Sequence, residues 1–230
     1  MRVDGDLGGP RLTVLDGGRR FAPPRRGRRR PPHKPPRSLS RDLVSFYFER
    51  LASPTRVLDV GCGRGDLGQY RPADLSVLCG VDVDSDSFMR ARGYDRLQAV
   101  DLEREELPFA DGSFDGVVVK DVLEHVPRPW EVLDEVHRVL EPRGRVLISV
   151  PLPKASVVWS DYTHVRGFTA AAVCALLEDC GFVVRATWKM GGIPLAERYE
   201  LTRWVPTLMS VWPVGALFAS SVEALATVAP

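Results

Sequence analysis

The chain predicts an α/β fold, a doubly wound and mostly parallel sheet with helices on both faces, on three observations. Short apolar runs rich in β-branched residues recur along residues 56–150. Stretches with helical periodicity separate them, which is the alternation of a parallel sheet rather than of hairpins. A loop with three glycines follows the first run, where a strand must turn sharply.

Each element follows in order. Arg56–Val60 (RVLDV) comes after Ser53-Pro54 and runs into glycines, which predicts a buried strand closed by a tight turn. Val77–Val83 repeats the pattern, Leu97–Leu102 does so more weakly, and Phe114–Val119 and Arg145–Val150 read as further strands. Ser85–Arg92 reads as a helix. Trp130–Leu140 does so through the stripe Val132, Leu133, Val136, Val139 and Leu140, with Pro142 and Gly144 to stop it. Thr169 caps a helix over Ala170–Cys180, and Phe182–Trp188 supplies a sixth strand. Sheets of this kind are buried on both faces and bind ligands beyond the carboxyl ends of their strands.

Those strand ends hold the candidate chemistry. In Val57-Leu58-Asp59-Val60-Gly61-Cys62-Gly63-Arg64-Gly65 the glycines open backbone amides to a ligand. A dinucleotide fingerprint needs its third glycine at 66, where Asp66 would face a pyrophosphate, so NAD is disfavoured. With Asp59 as well, the loop is lined by carboxylates and suits a cationic ligand such as an ammonium or a sulfonium. Asp82 ends the second strand, seventeen residues after Gly65, where a carboxylate can accept both hydroxyls of a ribose. An adenosine bearing a positive group in place of phosphates fits both features.

Four ordered blocks, VLDVGCGRG, GVDVD, AVDLEREELPFADGSFDGVVVKDVLEHV and EVLDEVHRVLEPRGRVLISVP, resemble the class I S-adenosylmethionine-dependent methyltransferases of the type 11 kind. The resemblance runs over residues 56–192 and implies a Rossmann-like methyltransferase fold with S-adenosyl-L-methionine as cofactor. It implies that Asp59, Gly61, Gly63 and Gly65 surround the methionine part and that Asp82 holds the ribose. Val83 would pack on one face of the adenine, Asp101 would stand near its amino group, and Leu102 would line the ring. Lys120 would bring the backbone to the methionine carboxylate end.

Methyl transfer from a sulfonium asks mainly for positioning, plus a base where the acceptor is a hydroxyl. Trp159–Thr169 (WSDYTHVRGFT) mixes aromatic, acidic and imidazole side chains, and resembles D-x-x-H-x-R-x-F-T segments of the same family. His164 is the candidate base and Asp161 its orienting carboxylate. Glu124 and His125, expected on a helix after the fourth strand, are an imaginable acid and base with packing as the rival role. No metal site is expected.

The 230 residues carry a formal net charge of +1, but residues 1–38 hold eleven basic and three acidic side chains and the remainder is acidic. An acidic body argues against a nucleic-acid-binding fold, and no nucleic-acid partner is expected. Three regions are expected: a basic, Arg/Pro-rich, disordered arm over residues 1–38, the cofactor-binding domain over 39–195, and an apolar C-terminal segment over 196–230. Trp204–Val222 lacks any charge, so that segment is expected to cover the substrate or to lie at a membrane interface, while Pro206 and Pro213 argue against a span. The segment and the arm are the candidates for peripheral membrane contact. The family's seventh, antiparallel strand is not evident, with Glu197–Arg203 a weak candidate. Cys62, Cys79, Cys174 and Cys180 form no CxxC pair and read as reduced thiols of a cytoplasmic protein. The expected function is methyl transfer to an oxygen of a small-molecule or lipid-linked acceptor, with Met190, Ile193 and Leu195 as a greasy surface for it. The competing reading is a non-catalytic binding module of the same fold whose arm binds RNA or membrane.

Overall fold

The first apolar run forms strand β1 (Arg56–Val60), in which Val57, Leu58 and Val60 are wholly buried, as a central parallel strand requires. β2 (Val77–Asp82), β3 (Arg96–Ala99) and β4 (Phe114–Lys120) are parallel to it and in register. β5 (Leu140–Pro151) extends the sheet beside β4, β6 is Phe182–Gly191 and β7 is Ala219–Val228. The order is β3-β2-β1-β4-β5-β7-β6, with β7 antiparallel to both neighbours. The structure, a computed structural model, describes residues 39–83, 91–191, 207 and 218–229. The basic arm, most of the predicted helix Ser85–Arg92, the candidate strand Glu197–Arg203, and Ile193 and Leu195 lie outside the described residues.

Side chains alternate across the sheet and so build two layers of core. Leu58, Val60, Val117, Val119, Val146 and Ile148 pack with α3 (Pro129–Val139) and α5 (Ala170–Asp179). Val57, Leu78, Val118 and Leu147 pack with α1 (Arg41–Arg50) through its Val44 and Tyr47. The caps follow local chemistry: Ser40 Oγ accepts from Leu43 N–H, Thr169 Oγ1 from Ala172 N–H, and Pro129 starts α3, where no donor is lost. Short helices α2 (Asp66–Gln69) and α4 (Ala155–Val158) follow β1 and β5.

Three expectations are corrected. α3 ends at Val139 and the chain enters β5 directly, because Leu140 already pairs with Phe114 ahead of Pro142 and Gly144. Residues 123–125 form a turn rather than a helix, with Asp121 at φ 52° and His125 N–H bonded to Val122 C=O at 2.9 Å. The seventh strand is Ala219–Val228, so this part of the apolar C-terminal segment lies inside the sheet instead of over a substrate or a membrane. Its composition misleads because a strand buried on both faces is as apolar and alanine-rich as a packed helix. No helix among the described residues is long and apolar enough to cross a membrane.

Candidate active site

The parallel strands end together, and the predicted cofactor residues gather at those ends. Gly61, Gly63 and Gly65 all have positive φ, yet they differ in surroundings. A Cβ on Gly65 would meet Ala91 Cβ at 2.5 Å, and one on Gly61 would meet Val122 Cγ2 at 2.2 Å, so both serve close packing within the protein. A Cβ on Gly63 would find only Gly61 O, at 4.0 Å, and otherwise open space. That is the face from which a ligand can reach the loop amides. Gly63 N–H donates to Asp82 Oδ2 at 2.8 Å, tying the loop to the end of β2, and Val83 beside it is 72% exposed. A bare glycine face next to a carboxylate and an exposed aliphatic side chain fits a nucleoside.

Asp59 is buried on β1 and accepts a hydrogen bond from Tyr94 Oη at 2.5 Å. Burial, opposed by that bond, pushes its carboxyl up to about 7. Asp101 closes its own turn: Oδ1 accepts from Glu103 N–H and Oδ2 pairs with Arg104 at 3.6 Å. Leu102 lines a cleft of about 460 Å³ between that turn and α3. Lys120 ends β4 and its Nζ is paired with Asp121. Burial pushes the Cys62 thiol up, which makes it a packing group of the turn rather than a nucleophile.

The segment after β5 is fastened over the turn after β4. Val165 N–H donates to Glu124 C=O at 2.8 Å and Arg166 Nη2 to Pro127 C=O at 2.6 Å. Asp161 Oδ1 accepts from Thr163 N–H at 2.9 Å and from Thr163 Oγ1 at 2.6 Å, and Thr163 Oγ1 lies 3.0 Å from His125 Nδ1. Asp161, expected to orient His164, is linked here through Thr163 to His125. The rings of His125 and His164 meet edge to face at 4.6 Å, and these two histidines with Glu124 bring one donor atom each within 4.8 Å of one another. Glu124 Oε2 and His164 Nδ1 are buried without a hydrogen-bond partner among the described residues. Burial, followed by Asp121, raises the Glu124 carboxyl to about 8.

A second polar group, not anticipated, lies under this end of the sheet. Glu223 of β7 is buried, its Oε1 accepts from Tyr47 Oη at 3.0 Å, and Ser149 Oγ stands 3.4 Å away. The only sequence signal for it is a lone charge within an apolar run.

Comparison with known proteins agrees with this geometry. Residues 58–148 match the family described as methyltransferase domain. The chain is 33% identical over 194 residues to the ubiquinone biosynthesis O-methyltransferase of Pseudomonas paraeruginosa, covering 73% of this chain and 82% of that protein. It is 31% identical over 178 residues to the 27-O-demethylrifamycin SV methyltransferase of Amycolatopsis mediterranei, covering 65% and 64%. A solved SAM-dependent methyltransferase from Archaeoglobus fulgidus superposes with a TM-score of 0.61 at 21% identity, covering 82% of this chain and 94% of that one. The [4+2]-cyclase SpnF superposes equally well, at 0.61 and 20% identity over 82% and 81%, so this fold also carries other reactions. With the relative at 33% identity covered over most of its length, the chain belongs to the class I S-adenosylmethionine-dependent methyltransferases, and S-adenosyl-L-methionine is its cofactor.

Proposed function

We propose that the protein methylates a hydroxyl oxygen of a small-molecule or lipid-linked acceptor. The observation that carries this reading is the hydrogen-bonded run Asp161–Thr163–His125, with His164 against it, where the segment after β5 is fastened over the turn after β4. A hydroxyl is a poor nucleophile until a base takes its proton, whereas a neutral amine already offers its lone pair. Two relatives whose names specify O-methylation support the same choice.

When bound, the cofactor supplies an electron-poor methyl carbon whose bond to sulfur breaks with the electron pair left on sulfur. The chain's own residues hold and orient. The open face of Gly63, in the turn that Gly61 and Gly65 shape and Asp59 underlies, would hold the methionine part, and Asp82 would take the ribose hydroxyls. Val83 and Leu102 would hold the adenine, Asp101 would lie toward its amino group, and Lys120 would offer its backbone. His125 and His164 are the two candidate bases, with Asp161 linked to the first through Thr163. Trp159 and Tyr162, 63% and 72% exposed on the fastened segment, offer aromatic surface to a planar acceptor.

The test is incubation of the full chain with radiolabelled S-adenosylmethionine and a panel of phenols, catechols, alcohols and amines. Label in an alkali-stable methyl ether of one hydroxyl acceptor is expected. Label confined to amines would overturn the reading.

A further inference from the structure

We propose that His125 is the proton acceptor of this site and that Thr163 is the positioning residue that sets its tautomer. The inference rests on the hydroxyl-methylating reading above and assigns the base within it.

The argument is a count of protons. An ionised carboxylate only accepts hydrogen bonds, so the contacts of 2.9 and 2.6 Å at Asp161 Oδ1 take the Thr163 N–H and its single hydroxyl proton. Thr163 Oγ1 then has only lone pairs to offer at its 3.0 Å contact with His125 Nδ1. That ring nitrogen must carry the proton. A neutral imidazole holds one N–H, so Nε2 keeps the lone pair that a base needs. His164 lacks this arrangement, because its Nδ1 is buried without a hydrogen-bond partner among the described residues and so does nothing to fix its tautomer.

The groups facing His125 are Asp121 and Glu124 from its own turn, and Asp161, Thr163 and His164 from the fastened segment. Burial first, and then His164, make the imidazole harder to charge, with Asp161, the Thr163 backbone and Asp121 opposing. That direction favours the neutral ring, the form that accepts a proton. In the step itself the acceptor O–H bond breaks with its electron pair kept on oxygen, and an N–H bond forms at Nε2. The imidazolium afterwards returns the proton to water.

The test reads ring-nitrogen shifts of the full ¹⁵N-labelled chain by two-bond proton–nitrogen correlation, with His125 assigned from the spectrum of His125→Gln. In the wild type, His125 is expected with a protonated Nδ1 and a pyridine-type Nε2. Thr163→Val is expected to move the proton toward Nε2, Thr163→Ser to retain the wild-type pattern, and Asp161→Asn to mix the two tautomers should the valine variant not fold. A protonated Nε2 in the wild type, or no change in Thr163→Val, would overturn the proposal. So would a displaced Nε2 signal on adding one equivalent of magnesium or zinc, since that lone pair would then bind metal. None of these readouts needs an acceptor, so they stand or fall apart from the O-methylation reading. With an acceptor in hand, Thr163→Val lowers kcat on the order of tenfold at unchanged cofactor affinity, and serine restores it. Normal turnover in the valine variant would also overturn the assignment.

Discussion

The half of the sheet built from β3, β2, β1 and β4 and the half built from β5, β7 and β6 carry their polar groups differently. In the first, loop, glycines and carboxylates are near neighbours in sequence: Gly63 meets Asp82 nineteen residues away, and Asp59 meets Tyr94 across thirty-five. In the second, Tyr47 of α1 meets Glu223 of β7 across 176 residues. On the reading proposed above, recognition of the cofactor is written in a contiguous motif, because it rests on backbone amides at positive φ. On the same reading, handling of the acceptor depends on side chains that segments separate in the sequence bring together.

The sharpest way to break this contrast lies within the loop itself. Gly65→Val puts a branched side chain at φ +83° and into Ala91, and is expected to destabilise the fold by about 3 kcal/mol in urea unfolding. Gly63→Ala meets open space, so it costs about 1 kcal/mol of stability for its backbone angle while weakening cofactor binding about tenfold by calorimetry. Equal losses of stability in the two variants would mean that the loop has no ligand-facing side.

Across the sheet, burial raises the Glu223 carboxyl to about 7 from an ordinary value of 4.5. A carboxyl raised in the folded state contributes its full stability below the unfolded value and loses it as pH climbs through the folded one. Stability is therefore expected to decline between pH 4.5 and 7, with Asp59 adding to the trend in the same window. Glu223→Gln should flatten that decline by about 2 kcal/mol in unfolding midpoints compared at pH 5 and 8. An unchanged decline would assign it to other groups. Asp82→Ala should weaken S-adenosylmethionine binding by about 2 kcal/mol, and unchanged affinity would remove Asp82 from the ribose. The smallest effect is expected from Thr169→Ala, which removes the α5 cap for about 1 kcal/mol of stability.

The order in which the sequence is legible follows the same division. β1, β2, β4 and α3 stand close to where their apolar patterns place them, since each buries residues dictated by its own period. Thr169 and its helix were readable from a local cap. β7 was not, because an apolar, alanine-rich run buried on both faces has no period to separate strand from helix. His164 and Asp161 were visible as residue types, but the route from Asp161 through Thr163 to His125 depends on two segments laid side by side. Tyr94, which holds Asp59, gave no signal beyond being a tyrosine near a glycine.

The placement of β7 between β5 and β6 also bears on how the protein is made. On the ribosome, the strands that flank the cofactor loop can pair as they emerge, while β5 must wait with an unpaired edge until residues 219–228 have been synthesised. β6, whose sheet neighbour is β7, waits with it. A nascent chain stalled before residue 219 therefore displays an adhesive strand edge beside a formed cofactor loop, and chaperone capture should concentrate in that interval of translation.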